Sequence, residues 1–356
     1  MKKVYFIYIC VIFITGCVTT ISVDKLFDKN MTESECQQMI KILSTAILQN
    51  PMNWEAYYYR GAAYIKLNDY DLAIDDISNA IRLNPEYTRA YFARGNLFLV
   101  TNNCDAALSD MNNVVKLDKN YNNVYYNRGL IQCKLKNYNE AISDFNNDLI
   151  QNQNHIKALE AKAFIYYKLI QYDEAIAIMK KAIEIDDKND HLYFILGIIY
   201  EKNDDYERAF YYYNLAINFN NSDAKYYNYR GIQYSKQGKY AEALNDFSRA
   251  IQLCDQNNEK ALDYYNRSSL YSDLEDYQAA IQDLNIAIEI NPSFKEAYSS
   301  RGKIYTFLSE QTRDTTLINM YAEKAKDDLE KSVIFEKVFD EDLLKYDFPT
   351  EIILSK

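Results

Sequence analysis

The fold is decided by residues Trp54–Pro85, WEAYYYRGAAYIKLNDYDLAIDDISNAIRLNP. Two helical patterns lie in this stretch, on either side of the turn residues Asn68 and Asp69. In each pattern, residues at i, i+4 and i+7 share one face of a helix. They are Tyr57, Gly61 and Tyr64 in the first pattern and Ala73, Ile77 and Ala80 in the second. The small residues predict a close approach of two short helices, which cannot bury their apolar stripes without neighbours of the same kind.

The same pattern recurs along the chain with a period of 34 residues. The position of Gly61 is taken in turn by Gly95, Gly129, Ala163, Gly197, Gly231, Ser268 and Gly302, with one longer step of 37 residues before Ser268. Six of the eight glycines occupy this position, so glycine is used mainly for helix packing. Alanine follows twelve residues later in seven repeats, at Ala73, Ala107, Ala141, Ala175, Ala209, Ala243 and Ala280.

A helix–turn–helix unit with this spacing resembles the tetratricopeptide repeat family. The resemblance covers about eight repeats: 54–87, 88–121, 122–155, 156–189, 190–223, 224–260, 261–294 and 295–337. It implies an all-α, right-handed superhelical solenoid in which each repeat contacts only its neighbours. In the distorted eighth repeat, the polar run Ser309–Thr316 predicts a loop between the two helices.

Segments at both ends of the array are predicted to cap it. Residues 32–53 contain an N-terminal capping helix, with Met39, Leu43 and Ala46 at the spacing of a second repeat helix. Residues 338–356 contain Phe339 and Leu343 and predict a C-terminal cap and tail. Such caps cover the open apolar faces of the terminal repeats.

The first 16 residues are predicted to be a lipoprotein signal peptide. Lys2 and Lys3 precede the apolar run Val4–Ile14, which is too short to span a bilayer as a helix. The sequence around Cys17 resembles a bacterial lipobox, which implies lipidation of Cys17 and a tether over residues 17–31. An ordinary secretory signal is the alternative. Val18 follows the cysteine, and by the same resemblance the outer membrane is favoured as the location, if the cell has one.

A set of arginines and aspartates appears and disappears together among the repeats. The arginine precedes the glycine position, and the aspartate lies on the second helix. The pairs are Arg60/Asp76, Arg94/Asp110, Arg128/Asp144, Arg230/Asp246, Arg267/Asp283 and Arg301/Asp328, while Lys162/Ile178 and Leu196/Tyr212 replace them in repeats four and five. Joint loss favours a structural ion pair within each repeat over the alternative, a ladder of ligand-binding arginines.

No catalytic, metal-binding or phosphate-binding pattern is present in the sequence. The only two histidines, His155 and His191, fall in different repeats, so neither a metal site nor a nucleophile–histidine pair is predicted. The formal net charge of −11 argues against general nucleic-acid binding. Cys36, Cys104, Cys133 and Cys254 form no CxxC motif and are predicted to remain thiols. We therefore predict a non-enzymatic protein without a cofactor.

The family resemblance implies a partner segment bound along the groove that the first helices line. Counting Trp54 as slot 1 of a repeat, slots 2, 5, 9, 12 and 13 form that face. The predicted binding residues are Tyr58, Lys66, Arg89, Phe92, Tyr126, Lys134, Lys157, Lys168, Phe194, Lys202, Lys225, Asn228 and Lys236. They predict a basic, partly aromatic track suited to an acidic or C-terminal peptide. Lysine at slot 13 is equally expected from the dipole at the end of the first helix.

The sequence thus predicts an envelope-anchored scaffold for a protein or peptide partner. Two alternatives stay open. One is a lipoprotein that binds glycan or peptidoglycan through the groove tyrosines. The other is an assembly subunit of an envelope secretion, pilus or outer-membrane machine.

Overall fold

The computed structural model describes residues 31–255 and 257–335. Over these residues it contains seventeen α-helices and no strand, so the predicted all-α class is confirmed. The predicted signal peptide, Cys17 and the tether up to residue 30 lie outside the described residues, as does the predicted cap at 338–356.

The chain forms two compact units that divide between Ala158 and Leu159. The first unit contains the N-terminal helix and the helix pairs of the first three repeats. Its helices are α1 (Glu33–Gln49), α2 (Trp54–Lys66), α3 (Tyr70–Leu83), α4 (Thr88–Val100), α5 (Cys104–Leu117), α6 (Val124–Lys134) and α7 (Tyr138–Gln151).

The division falls inside α8 (Ile156–Lys168), and the second unit contains the remaining pairs. Its helices are α9 (Tyr172–Ile185), α10 (Asp190–Lys202), α11 (Tyr206–Phe219), α12 (Ala224–Lys236), α13 (Tyr240–Leu253), α14 (Asn257–Asp273), α15 (Tyr277–Ile290), α16 (Lys295–Gln311) and α17 (Thr315–Ile334).

The two helices of a repeat approach closely at the glycine position. A Cβ atom added to Gly129 would lie 2.7 Å from Cε1 of Phe145 on the facing helix, which is closer than carbon atoms can pack. Phe145 and Ala141 are both fully buried, so the ring cannot retreat without disturbing the core. The small-residue pattern therefore sets the spacing of α6 and α7.

The turn between the helices of a repeat uses one residue in the left-handed conformation. Asn68 and Asn102 hold it with φ near 60°, a conformation that asparagine tolerates. Ile170 holds the same position in repeat four with φ 61°, although it is β-branched and 73% exposed. This turn therefore carries backbone strain that no burial offsets.

Repeats seven and eight differ from the sequence expectation at their helix boundaries. The extra residues before repeat seven extend its first helix, so α14 begins at Asn257, four residues before the predicted repeat boundary. In repeat eight the predicted loop Ser309–Thr316 was wrong for most of its length. Helix α16 continues to Gln311, and α17 begins at Thr315 with its N-terminus capped by the Asp314 side chain. The inserted residues lengthen both helices instead of forming a long loop.

The N-terminal helix packs on the first repeat. Met39 and Leu43 of α1 are 1% exposed and share a core cluster with residues of α2 and α3. Met31, which was assigned to the tether, also packs against this cluster. Thr32 and Glu35 form a reciprocal capping box that fixes the start of α1. Among the described cysteines, Cys36, Cys104, Cys133 and Cys254, none takes part in a disulfide.

The last repeat leaves an apolar groove of about 580 Å³ between α16 and α17. Leu329 and Val333 line it and are 37% and 82% exposed. The groove lies at the end of the array from which the chain continues toward the segment predicted as the C-terminal cap.

Candidate partner-binding face

Six arginines each form a bidentate ion pair with the aspartate of the same repeat. In repeat three, Nε and Nη2 of Arg128 donate to Oδ2 and Oδ1 of Asp144 at 2.9 and 2.6 Å. The other five pairs have N–O distances of 2.7–2.8 Å: Arg60–Asp76, Arg94–Asp110, Arg230–Asp246, Arg267–Asp283 and Arg301–Asp328. The structure therefore joins the first and second helices at each of these positions.

The third guanidinium nitrogen of each arginine reaches the preceding repeat or, for Arg60 in the first repeat, the N-terminal helix α1. Nη1 of Arg128 donates to Asn112 on α5 at 2.9 Å. The corresponding bonds are Arg60–Ser44, Arg94–Ser78, Arg230–Asn214, Arg267–Ser248 and Arg301–Asn285. Each guanidinium also lies 5.5–5.9 Å from the ring of the tyrosine three residues earlier, as Arg128 does over Tyr125. All three nitrogens of each arginine are engaged within the protein, which favours a structural role over the ligand-binding ladder.

The second link of these arginines was missed in the sequence, although a signal for it exists. Serine or asparagine occupies slot 25 of the repeat that precedes an arginine, for example Ser78 and Asn112. Slot 25 of repeat four is Lys180, and the next repeat has Leu196 in place of arginine. The signal is partial, because Asn146 occupies slot 25 of repeat three although Lys162 replaces the arginine in repeat four.

Because the ion pairs are buried, removal of one partner leaves the other charge uncompensated and destabilises the fold. The Asp144 side chain is 4% exposed and that of Arg128 is 20% exposed. Hydrogen bonding to Asp144 raises the pKa of the Arg128 guanidinium, so the arginine stays charged. Burial raises the pKa of the Asp144 carboxyl, and the hydrogen bond and charge of Arg128 oppose that effect. A buried carboxylate that loses its arginine has no route to water.

The aromatic residues predicted to line the groove are buried instead, so the aromatic part of the predicted track was wrong. The residues are Tyr58, Phe92, Tyr126 and Phe194, with exposures of 0%, 2%, 5% and 7%. The physical reason is a second ring that covers each of them. In the first three repeats this ring is at slot 34, and the pairs are Tyr58–Tyr87, Phe92–Tyr121 and Tyr126–His155, with centroids 4.7–5.0 Å apart. In repeat five, Tyr226 and Tyr229 cover Phe194 at 4.8 and 4.9 Å.

Asn228 is likewise not a groove residue. It is 5% exposed, donates to Asp263 of the next repeat and accepts from the Asn266 side chain at 2.9 Å. In the first unit, Asn127 donates to Asn96 at 2.8 Å in a buried contact of the same kind between first helices. Both contacts bind neighbouring repeats to each other and not to a partner.

The predicted basic residues of the first unit lie at or near the protein surface. Lys66, Arg89 and Lys134 are partly exposed and Lys157 is exposed. Glu55 is the one acidic residue among the slot 2 and slot 13 positions of the first three repeats. The surface of α2, α4 and α6 in this unit is therefore positively charged in a chain whose net charge is −11.

In the second unit, two of the predicted lysines are engaged in ion pairs between repeats. Lys236 donates to Glu201 at 2.9 Å, and Lys225 lies 3.1 Å from Glu259. The same Glu201 accepts from the Tyr213 hydroxyl at 2.8 Å. Lys202 is exposed, and Lys168 lies 5.3 Å from the Phe164 ring. The positive charge predicted for this unit is thus partly neutralised by acidic neighbours.

Neither a metal site nor a membrane span is found in the part of the chain that the structure describes. Within 31–255 and 257–335, no three His, Cys, Asp or Glu side chains are grouped in a way that would hold a metal ion. No helix in the same ranges combines the length and the apolar character needed to cross a bilayer.

Comparison with known proteins identifies the repeats. Four tetratricopeptide repeat models match residues 54–87 and 224–257, 156–189 and 264–294, 178–211, and 92–155. Together these matches cover more than half of the chain. No curated protein is a recognisable relative of the sequence.

Solved structures with the same fold share little sequence with this chain. A tetratricopeptide repeat protein from Parabacteroides merdae is 18% identical, with a TM-score of 0.55, over 79% of this chain and 98% of that one. The Pseudomonas aeruginosa protein pilF is 16% identical, with a TM-score of 0.50, over 61% of this chain and 97% of that one. At this identity the likeness shows a shared fold.

Proposed function

Because the chain belongs to the tetratricopeptide repeat family, we propose that it is a scaffold that binds an acidic segment of a partner protein. The binding surface is the exposed part of the first helices in the first unit. The observation that supports this most directly is the presence of Lys66, Arg89 and Lys134 on α2, α4 and α6, where Glu55 is the one acidic residue. Lys157 on α8 adds a positive charge, and Glu160 follows it on the same helix. Side chains at this surface are long and solvated, so they attract an acidic segment through charge and not through ring stacking.

The glycan-binding alternative loses its support with the buried aromatic residues. A sugar platform needs the face of a ring open to solvent, and the slot 5 rings are covered by neighbouring rings. Tyr58 is fully buried, with no hydrogen-bond partner for its hydroxyl. The first unit therefore favours a peptide over a glycan.

Anchoring at Cys17 completes the proposal. Lipidation there would hold the first unit near a membrane surface in the bacterial envelope, with the tether between lipid and α1. The lipobox resemblance is the support for this step, and the outer membrane is the favoured location. The partner would then be another envelope protein.

The test is a charge reversal with a matched control. Lys66→Glu, Arg89→Glu and Lys134→Glu together change the first helices of the first unit by six charge units. Arg82→Glu, Lys116→Glu and Lys119→Glu make the same change at exposed positions on α3, on α5 and just after α5. Tagged proteins are used to recover partners from solubilised envelopes at low salt. The proposal expects the first triple variant alone to lose the partner, and equal recovery with both variants would refute it. Binding of the wild type to purified cell-wall glycan would instead favour the alternative.

A further inference from the structure

The contact between repeats six and seven contains buried polar groups, and one of them stands at a position that lacks a carboxyl group in every other repeat. Slot 3 of repeat seven is Asp263. In the other seven repeats slot 3 is Ala56, Ala90, Val124, Ala158, Leu192, Tyr226 and Ala297. Asp263 is 5% exposed, as is Asn228, which faces it from α12. The fold thus places a carboxyl group inside the stack of first helices.

The hydrogen bonds around Asp263 determine where a proton would reside. The Asn228 side-chain oxygen accepts from Asn266 at 2.9 Å, so its amide nitrogen must be the group that faces Asp263. That nitrogen donates to Oδ1 of Asp263. Oδ2 is buried and has no hydrogen-bond partner among the described residues. The neutral acid places its hydrogen on Oδ2, whereas the ionised acid leaves a charge there without a donor.

Charged groups near Asp263 do not compensate an ionised carboxylate. On α14 itself, Glu259 opposes ionisation and Lys260 favours it. Glu259 is paired with Lys225 of α12, and the other two charged residues of α12, Arg230 and Lys236, are paired with Asp246 and Glu201. On α13 and α15 the inward-facing charged residues are Asp246 and Asp283.

Both of those aspartates are committed to other partners, since Arg230 holds Asp246 and Arg267 holds Asp283. Burial is the largest influence and raises the pKa of Asp263 to about 7. The ordinary pKa of an exposed aspartate is about 3.9. The difference means that the folded and unfolded chains take up protons over different pH ranges.

We propose that the contact between α12 and α14 is a proton-controlled joint, closed when Asp263 is neutral and loosened when it ionises. The direction follows from linkage. Between about pH 4 and pH 7 the unfolded chain has released the Asp263 proton and the folded chain has kept it. Stability of the joint therefore falls as the pH rises, by up to about tenfold in the closing equilibrium per pH unit, and levels off above pH 7.

The joint separates α14–α17 from the repeats before them in the second unit. Lys225–Glu259 is an exposed ion pair and contributes little to holding it. The bond from Arg267 to Ser248 at 3.0 Å also crosses the contact and does not titrate in this range. Leu270 of α14 also packs on Ala243 and Phe247 of α13, and this apolar contact is independent of pH. The pH dependence of opening is therefore assigned to the Asp263 carboxyl group.

The experiment measures hydrogen exchange of the α12 and α14 amides in the full chain from pH 5 to pH 8, corrected for the intrinsic exchange rate. Wild-type protection is expected to fall at least 30-fold over this range. Asp263→Asn keeps the shape without the charge and is expected to show less than a threefold change. Asp273→Asn, the same change at an exposed position at the end of the same helix, serves as the matched control and keeps the wild-type pH dependence.

Equal pH dependence in wild type and Asp263→Asn would overturn the proposal. A second measurement covers the case in which that variant does not fold. Carbon NMR of the Asp263 carboxyl in the wild type gives its titration midpoint directly. A midpoint near 7 supports the joint, and a midpoint near 4 refutes it.

Discussion

Removing both partners of the buried Arg128–Asp144 pair should destabilise repeat three by less than the sum of the two single removals. Arg128→Ala leaves Asp144, with 4% of its side chain exposed, without its two donors. The expected cost is about 3–5 kcal/mol. Asp144→Ala should cost the lower end of that range, about 3 kcal/mol, because the 20% exposed guanidinium can still reach water.

The double variant should show a coupling free energy of about 1–3 kcal/mol, since both groups belong to one interaction. Arg128 also donates to Asn112 on α5, so Asn112→Ala isolates the link to the preceding repeat. That bond is more exposed than the ion pair, and its loss should cost about 1 kcal/mol. The ion pair within the repeat therefore carries most of the effect of Arg128.

Native-state hydrogen exchange of the α6 and α7 amides is the suitable assay, because repeat arrays do not unfold as one cooperative unit. Arg128→Ala should speed exchange roughly 100-fold or more in these helices, at about 1.4 kcal/mol per tenfold. Exchange in α16 and α17 of the second unit provides an internal reference. Additive single and double variants would contradict the assignment of Arg128 to a structural pair and would return it to ligand binding.

Three further changes have expected outcomes. Ile170→Asn should stabilise the turn of repeat four by about 1 kcal/mol in thermal unfolding, because it relieves the left-handed strain of an exposed β-branched residue; no gain would show that the strain is absent. Gly129→Ala should cost about 1–3 kcal/mol, because its Cβ would lie 2.7 Å from the Phe145 ring, and an unchanged denaturation midpoint would contradict this packing. Cys17→Ser should release the protein from the membrane fraction or block its processing, and normal processing with unchanged membrane retention would remove the lipoprotein proposal.

Sequence periodicity was sufficient for the fold because each repeat position has one packing role. The glycine and alanine positions predicted the close approach of the two helices. The structure confirms it at Gly129, where the Phe145 ring leaves no space for a Cβ atom. Joint loss of arginine and aspartate in repeats four and five pointed to contacts such as Arg128–Asp144, which the structure contains. Inserted residues fall outside the 34-residue period, so the period did not predict that α14 begins before the repeat boundary.

The candidate site was less accessible to sequence reasoning because groove and core positions are adjacent on a helix. Slot 5 differs from a core position by a small rotation about the helix axis, and a ring such as Phe92 is large enough to turn inward. Tyr121 then covers it at 5.0 Å. The location of charged residues is easier to predict, because burial of a charged lysine is strongly unfavourable. Lys157, for example, is exposed.

Photo-crosslinking in the envelope locates the bound partner on the first unit. A photo-crosslinking amino acid is placed at position 66 or 134 on the first helices of the first unit, and at position 82 or 116 on its second helices. All four positions carry a basic residue in the natural sequence, so the substitutions are matched in charge. We expect a cross-linked envelope protein from positions 66 and 134, and we expect this product to disappear at high salt, where exposed charges are screened. Cross-links from positions 82 and 116 alone would contradict it.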